Sequence, residues 1–127
     1  MVQNSYDGTP TLYLVPTPIG NLDDMTYRAV KVLSEVEVIF SEDTRVTLNL
    51  LNYFDIKKKL ISLHEHNEDI VKDKVLEYLK DGRSIALVTD RGTPIVSDPG
   101  YKTVKYVSDN GFNVVSLPGA TALIPAL

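Results

Sequence analysis

The side chains that could do chemistry gather at a few places in this chain of 127 residues. Ser41-Glu42-Asp43-Thr44-Arg45 brings two carboxylates, two hydroxyls and a guanidinium into consecutive positions. One of the carboxylates, Glu42 or Asp43, or the Arg45 guanidinium could face a substrate in a shared cleft. The same residues also suit a helix start, with Asp43 and Thr44 as caps and Glu42 paired to Arg45. His64-Glu65-His66-Asn67-Glu68 is not the H-E-x-x-H of a metalloprotease. His64 and His66, two apart on extended chain, could share a face. No third or fourth ligand accompanies them, so no metal is expected. A polar patch facing a substrate, or caps for the next helix, are the readings left.

Three further segments carry unusual residues. Val15-Pro16-Thr17-Pro18-Ile19-Gly20-Asn21-Leu22-Asp23-Asp24 stands where a dinucleotide-binding loop would, yet it holds neither G-x-G-x-x-G nor a P-loop. Its prolines remove backbone N–H donors, the reverse of a phosphate cradle. It reads either as a stiff connection or as a rigid wall with one close approach at Gly20, suited to a ligand without phosphates. Asp90 to Gly100 is longer than a strand–helix turn requires, and loops of that kind tend to carry function. Leu117-Pro118-Gly119-Ala120-Thr121-Ala122 puts small residues at a helix start, where a ligand could press on backbone.

These segments sit at the ends of a regular alternation. Strands are expected at Thr11–Val15, Val36–Phe40, Leu60–Leu63, Ser84–Val88 and Asn113–Leu117. Between them fall amphipathic helices. One runs over Met25–Leu33, with Met25, Ala29, Val32 and Leu33 inward and Asn21 or Asp23 as cap. The next covers Thr44 to about Tyr53. A third follows Asn67, with Val71, Val75, Tyr78 and Leu79 inward and Gly82 at its end. The fourth starts at Asp98-Pro99 as cap and first-turn proline, faces Tyr101, Val104 and Val107 inward, and stops at Gly111. A last helix is expected from Gly119 to Leu127. Repeated strand–helix units imply an α/β fold: an open five-stranded parallel sheet with helices on both faces. Ligands then bind beyond the carboxyl ends of the strands.

Composition narrows the class. The chain is 43% hydrophobic and 24% charged, too apolar for disorder and enough for one core. Absence of cysteine excludes disulfide scaffolds, thiolate metal sites and cysteine nucleophiles. No apolar run reaches the ~20 residues that cross a bilayer, and the polar start lacks the features of a signal peptide. A cytoplasmic protein is expected, with residues 1–10 a flexible arm and 11–127 a single domain. The net charge of −4 argues against a nucleic-acid binder that works unaided. The apolar run Ala120 to Leu127 suggests a surface normally covered by something further, or by another copy in a homo-oligomer.

Taken in order, Leu12 to Thr26, Ser41 to Arg45, His64 to Glu68, Gly92 to Gly100 and Pro118-Gly119 make the chain resemble a known family. It is similar to the 16S ribosomal RNA (cytidine 2′-O)-methyltransferases of the tetrapyrrole methylase superfamily, from Leu12 to Leu127. The resemblance implies S-adenosylmethionine as cofactor, 16S ribosomal RNA or the small ribosomal subunit as substrate, and strand order 3-2-4-1-5. It also implies a donor site shared with a second, C-terminal domain that would follow Leu127. By match to the family, the donor would be cradled by Ile19, Gly20, Asp90, Thr93, Val96, Gly119, Ala120 and Thr121. Glu42, Asp43, Arg45, His64 and His66 are candidates for the acceptor side, with no single base singled out. Arg91 departs from the pattern, which usually has Ala there, and sets a bulky cation beside the donor site. A tetrapyrrole methylase and a non-catalytic binding module are the competing classes; Asp43-Thr44-Arg45 and His64 to Glu68 favour the RNA-modifying branch.

Overall fold

The computed structural model describes residues 9–18, 22–89 and 98–118. Within them five strands alternate with four helices. The strands are β1 (Thr11–Pro16), β2 (Val38–Ser41), β3 (Lys59–Ser62), β4 (Ile85–Thr89) and β5 (Asn113–Ser116). The helices are α1 (Tyr27–Glu35), α2 (Thr44–Tyr53), α3 (Glu68–Lys80) and α4 (Tyr101–Asp109), with a single 3₁₀ turn at Leu22–Asp24. All pairings are parallel, and the sheet order is β3-β2-β4-β1-β5, as the resemblance implied.

Both faces of the sheet are buried, which explains why its strands read as continuous apolar runs. Tyr13, Val15, Ile39, Ala86 and Val88 point to one face, where they pack with Ala29, Val32 and Leu33 of α1 and Leu50 and Leu51 of α2. Their neighbours Leu12, Leu14, Val38, Phe40, Ile85 and Leu87 point to the other, against Val71, Val75 and Leu79 of α3 and Val107 of α4. The division follows from chirality. The chain moves from β1 through β2 to β3 in one direction across the sheet, then reverses toward β4 and β5. Right-handed crossovers must change face when the direction changes.

Helix ends refine the sequence expectations. The cap of α1 is Thr26, whose hydroxyl accepts from the Ala29 amide at 3.1 Å. Asp23 instead lies in the 3₁₀ turn and Asn21 is outside the described residues, so neither is shown to cap; Met25 precedes the helix but still packs on the core. Helix α4 begins at Tyr101, later than Asp98-Pro99 suggested. Gly100 turns left-handed (φ 99°) and resets the chain direction, while the Asp98 carbonyl accepts from Tyr101 N–H. Helices α2, α3 and α4 all end in a paired 6→1 and 5→2 hydrogen-bond motif. Gly82 and Gly111 take its left-handed position in α3 and α4, and Asp55 (φ 57°) takes it in α2. No described helix is long and apolar enough to cross a membrane.

Candidate functional site

In an open α/β sheet a crevice forms at the carboxyl ends of neighbouring strands whose following helices leave to opposite faces. Because α1 and α2 cover one face and α3 and α4 the other, β3 with β2, β4 with β1 and, between them, β2 with β4 all meet this condition. A cleft of about 610 Å³ opens there, lined by Thr17 after β1, Ser41 to Thr47 from the β2–α2 turn, and Val88 and Thr89 of β4. Its size is that of a small-molecule site. Thr17 fixes one wall, since its amide and hydroxyl both donate to the Thr89 carbonyl, at 2.9 and 3.3 Å.

The β2–α2 turn is held from below. The Ser41 hydroxyl donates to the Asp43 carbonyl at 3.1 Å, which spends its only proton. The 2.6 Å contact between Ser41 Oγ and Thr47 Oγ1 is therefore a bond donated by Thr47. Both side chains are buried. Asp43 Oδ1 accepts from the amides of Arg45 and Val46, so this carboxylate caps α2. Glu42 and Arg45 line the same cleft and are exposed. Of the acceptor-side candidates, the turn thus brings Glu42, Asp43 and Arg45 together.

His64 and His66 stand one strand further along the sheet edge, after β3, and do not line the cleft. The Leu63 amide donates to the Ser41 carbonyl at 2.8 Å, tying the two turns together. Asn67 folds back rather than capping α3 with its side chain: Oδ1 accepts from the His64 amide and Nδ2 donates to the Ser62 carbonyl. His64 Nδ1 accepts from the His66 amide at 3.2 Å. This bond assigns the neutral ring proton to Nε2, leaving that N–H as the ring's donor. Among the described residues no group of three or more His, Cys, Asp or Glu is arranged for a metal ion.

Glu68, singled out in the sequence only as the last residue of the His64–Glu68 segment, is the least expected finding. Its side chain is buried, and Oε2 accepts from Gly100 N–H (3.1 Å), Thr103 N–H (2.9 Å) and the Thr103 hydroxyl (2.9 Å). No sequence pattern announces a cap supplied from 32 positions away. Tyr53 at the far end of α2 donates its hydroxyl to Asp23, and that bond, with the nearby carboxylate charge, raises the phenol's pKa. The residues expected to cradle the donor (Ile19, Gly20, Asp90, Thr93, Val96, Gly119, Ala120, Thr121), together with Arg91 and the helix expected over 119–127, lie outside the described residues.

Sheet order, crevice and cleft define a doubly wound α/β domain with a cleft of small-molecule size at the strand ends. The chain belongs to the tetrapyrrole (corrin/porphyrin) methylases, whose family pattern matches residues 11–127. Among curated proteins it is 50% identical to ribosomal RNA small subunit methyltransferase I of Halalkalibacterium halodurans, over 98% of this chain and 44% of that protein. The Bacillus subtilis protein of the same name is 53% identical over 91% of this chain and 40% of its own length. The chain therefore spans less than half the length of these relatives. Solved structures share the fold at low identity. Uroporphyrin-III-C-methyltransferase from Thermus thermophilus superposes with a TM-score of 0.65 at 21% identity, over 87% of this chain and 48% of that one. A diphthine synthase gives 0.66 at 17%, over 86% and 44%.

Proposed function

We propose that residues 11–127 form the N-terminal domain of an S-adenosylmethionine-dependent methyltransferase that modifies the 2′-hydroxyl of a cytidine in 16S ribosomal RNA. The observation that carries this reading is the 50% identity, across 98% of the chain, to a ribosomal RNA small subunit methyltransferase I. The cleft supports it chemically. The Glu42 and Asp43 carboxylates favour a cation, the threonine hydroxyls around it suit a ribose, and Val46 and Val88 supply apolar contact.

S-adenosylmethionine supplies, when bound, a methyl group made electrophilic by its sulfonium charge. Ile19, Gly20, Asp90, Thr93, Val96, Gly119, Ala120 and Thr121 are the positions that the resemblance assigns to holding it. Methyl transfer by displacement demands alignment above all, and the chain's contribution is to hold its walls in place. The Thr17–Thr89 and Ser41–Thr47 bonds do this for the cleft. Arg45 is exposed at the start of α2, and in this reading it pairs with an RNA phosphate. Glu42 can draw the proton of a ribose hydroxyl, while Asp43 is occupied as the helix cap. In this reading His64 serves through its Nε2–H as a hydrogen-bond donor to RNA, and His66 stands exposed beside it. A ribosomal substrate places this work in the cytoplasm.

The test is mass spectrometry of 16S ribosomal RNA after small subunits lacking the modification are incubated with S-adenosylmethionine and the protein at the full length of its relatives. A new 2′-O-methylcytidine is expected. Methylation of a corrinoid or porphyrinogen instead, or donor binding without any turnover, would overturn the reading.

A further inference from the structure

Helix α4 lacks a cap of its own. Its N-cap residue is Gly100, with no side chain to offer the first turn. In a capping box the N-cap side chain accepts from the N3 amide, and a Glu at N3 reaches back to the N-cap amide. In α4 one carboxylate does both: Glu68 Oε2 accepts from the amides of Gly100 and Thr103, and also from the Thr103 hydroxyl. Glu68 is the first residue of α3, so its charge also lies at the positive end of its own helix. With 4% of its surface accessible, this is a buried carboxylate, tolerated because three donors and two helix termini compensate it. Lys102 and Asp69 add an ion pair at 3.6 Å across the same two helix starts.

Two connections are thereby joined at the strand ends. One is the His64–Asn67 turn, closed by its own Asn67 and histidine bonds and running directly into Glu68. The other ends at Gly100, the last residue of the Gly92–Gly100 motif. We propose that Glu68 is a positioning residue: by fixing Gly100 and Thr103 it anchors the start of α4 against the start of α3, and thereby sets the affinity for the donor. This rests on the reading that the motif ending at Gly100 serves the donor. Glu68 itself touches neither substrate.

The test uses Glu68→Gln, Thr103→Val and Thr103→Ser in the protein at the full length of its relatives. Donor affinity is read by calorimetry with S-adenosylmethionine, steady-state constants by methylation of small subunits, and the local bonds by amide exchange at Gly100 and Thr103. Glu68→Gln keeps the shape and loses the charge. It is expected to speed exchange at both amides and to weaken donor binding and raise donor KM about tenfold, the size of losing one hydrogen bond to a charged group. RNA KM should change less than donor KM. Thr103→Val should move the same quantities part of the way, and Thr103→Ser, which keeps the hydroxyl, should restore them. A fall in melting temperature with donor affinity and donor KM unchanged makes Glu68 a purely structural residue and overturns the inference. If Glu68→Gln does not fold, the Thr103 pair decides on the same readouts. Wild-type protein that binds no donor overturns the functional reading and the inference together; wild type that binds it, with variants that bind equally well, overturns the inference alone.

Discussion

The buried Ser41–Thr47 contact beneath the cleft offers a quantitative check on how the β2–α2 turn is held. Ser41 donates to the Asp43 carbonyl and accepts from Thr47 at 2.6 Å, with both side chains at 2% exposure or less. Thr47→Val preserves shape and removes the donor, leaving a lone pair of Ser41 unmet. Ser41→Ala removes the acceptor and strands the Thr47 hydroxyl. Leaving one buried partner unsatisfied costs about 1–3 kcal/mol, whereas removing both partners together can be nearly neutral. Each single variant is thus expected to lose about 1–2 kcal/mol. The double variant should lose about as much as one single, a coupling of at least ~1 kcal/mol. For a chain of 127 residues, 1 kcal/mol corresponds to about 4 °C in melting temperature. Urea unfolding of the two single variants, the double variant and the wild type measures the cycle directly. Additive losses, with coupling below ~0.3 kcal/mol, would refute the shared bond and with it the account of how Glu42 and Arg45 are presented.

Two further outcomes follow from other parts of the fold. Asp55 holds a left-handed backbone (φ 57°) at the position that glycine fills in α3 and α4, so Asp55→Gly should raise stability by about 0.5–1 kcal/mol in the same unfolding assay; a loss would show that the aspartate side chain matters there. Tyr53 bonds to Asp23, which raises its pKa above the ordinary 10.0. The folded state therefore keeps this proton longer than the unfolded chain, so the bond's contribution is whole below about pH 10 and disappears as the pH rises through the folded value. Ultraviolet titration of the folded protein should show a late phenolate step that is missing from Tyr53→Phe, and a phenolate lost from the ordinary range instead would contradict the bond.

Much of the architecture was legible in sequence because its causes are local. Apolar runs of strand length alternating with 3.6-period stripes admit few arrangements other than a parallel sheet covered on both faces, and the glycines at 82 and 111 mark helix ends for steric reasons. The Ser41–Arg45 cluster was visible as well, since a strand end followed by a capping residue sits at the ligand edge of such a sheet. Of the two caps read there, Asp43 and Thr44, Asp43 is the one that accepts from the first turn, a local bond. Ser41 and Thr47 as floor were not visible, because their hydrogen bond forms only once α2 packs on β2. Distance along the chain hid the rest. The alternation of strands and helices does not say that β2 lies beside β4, yet that adjacency joins the two strand ends that line the cleft. Nor could the first residue of α3 be read as the cap of α4, because the two helix starts meet only through the tertiary fold. A carboxylate's chemistry is written in its residue type; the partners that it satisfies when buried are chosen by packing.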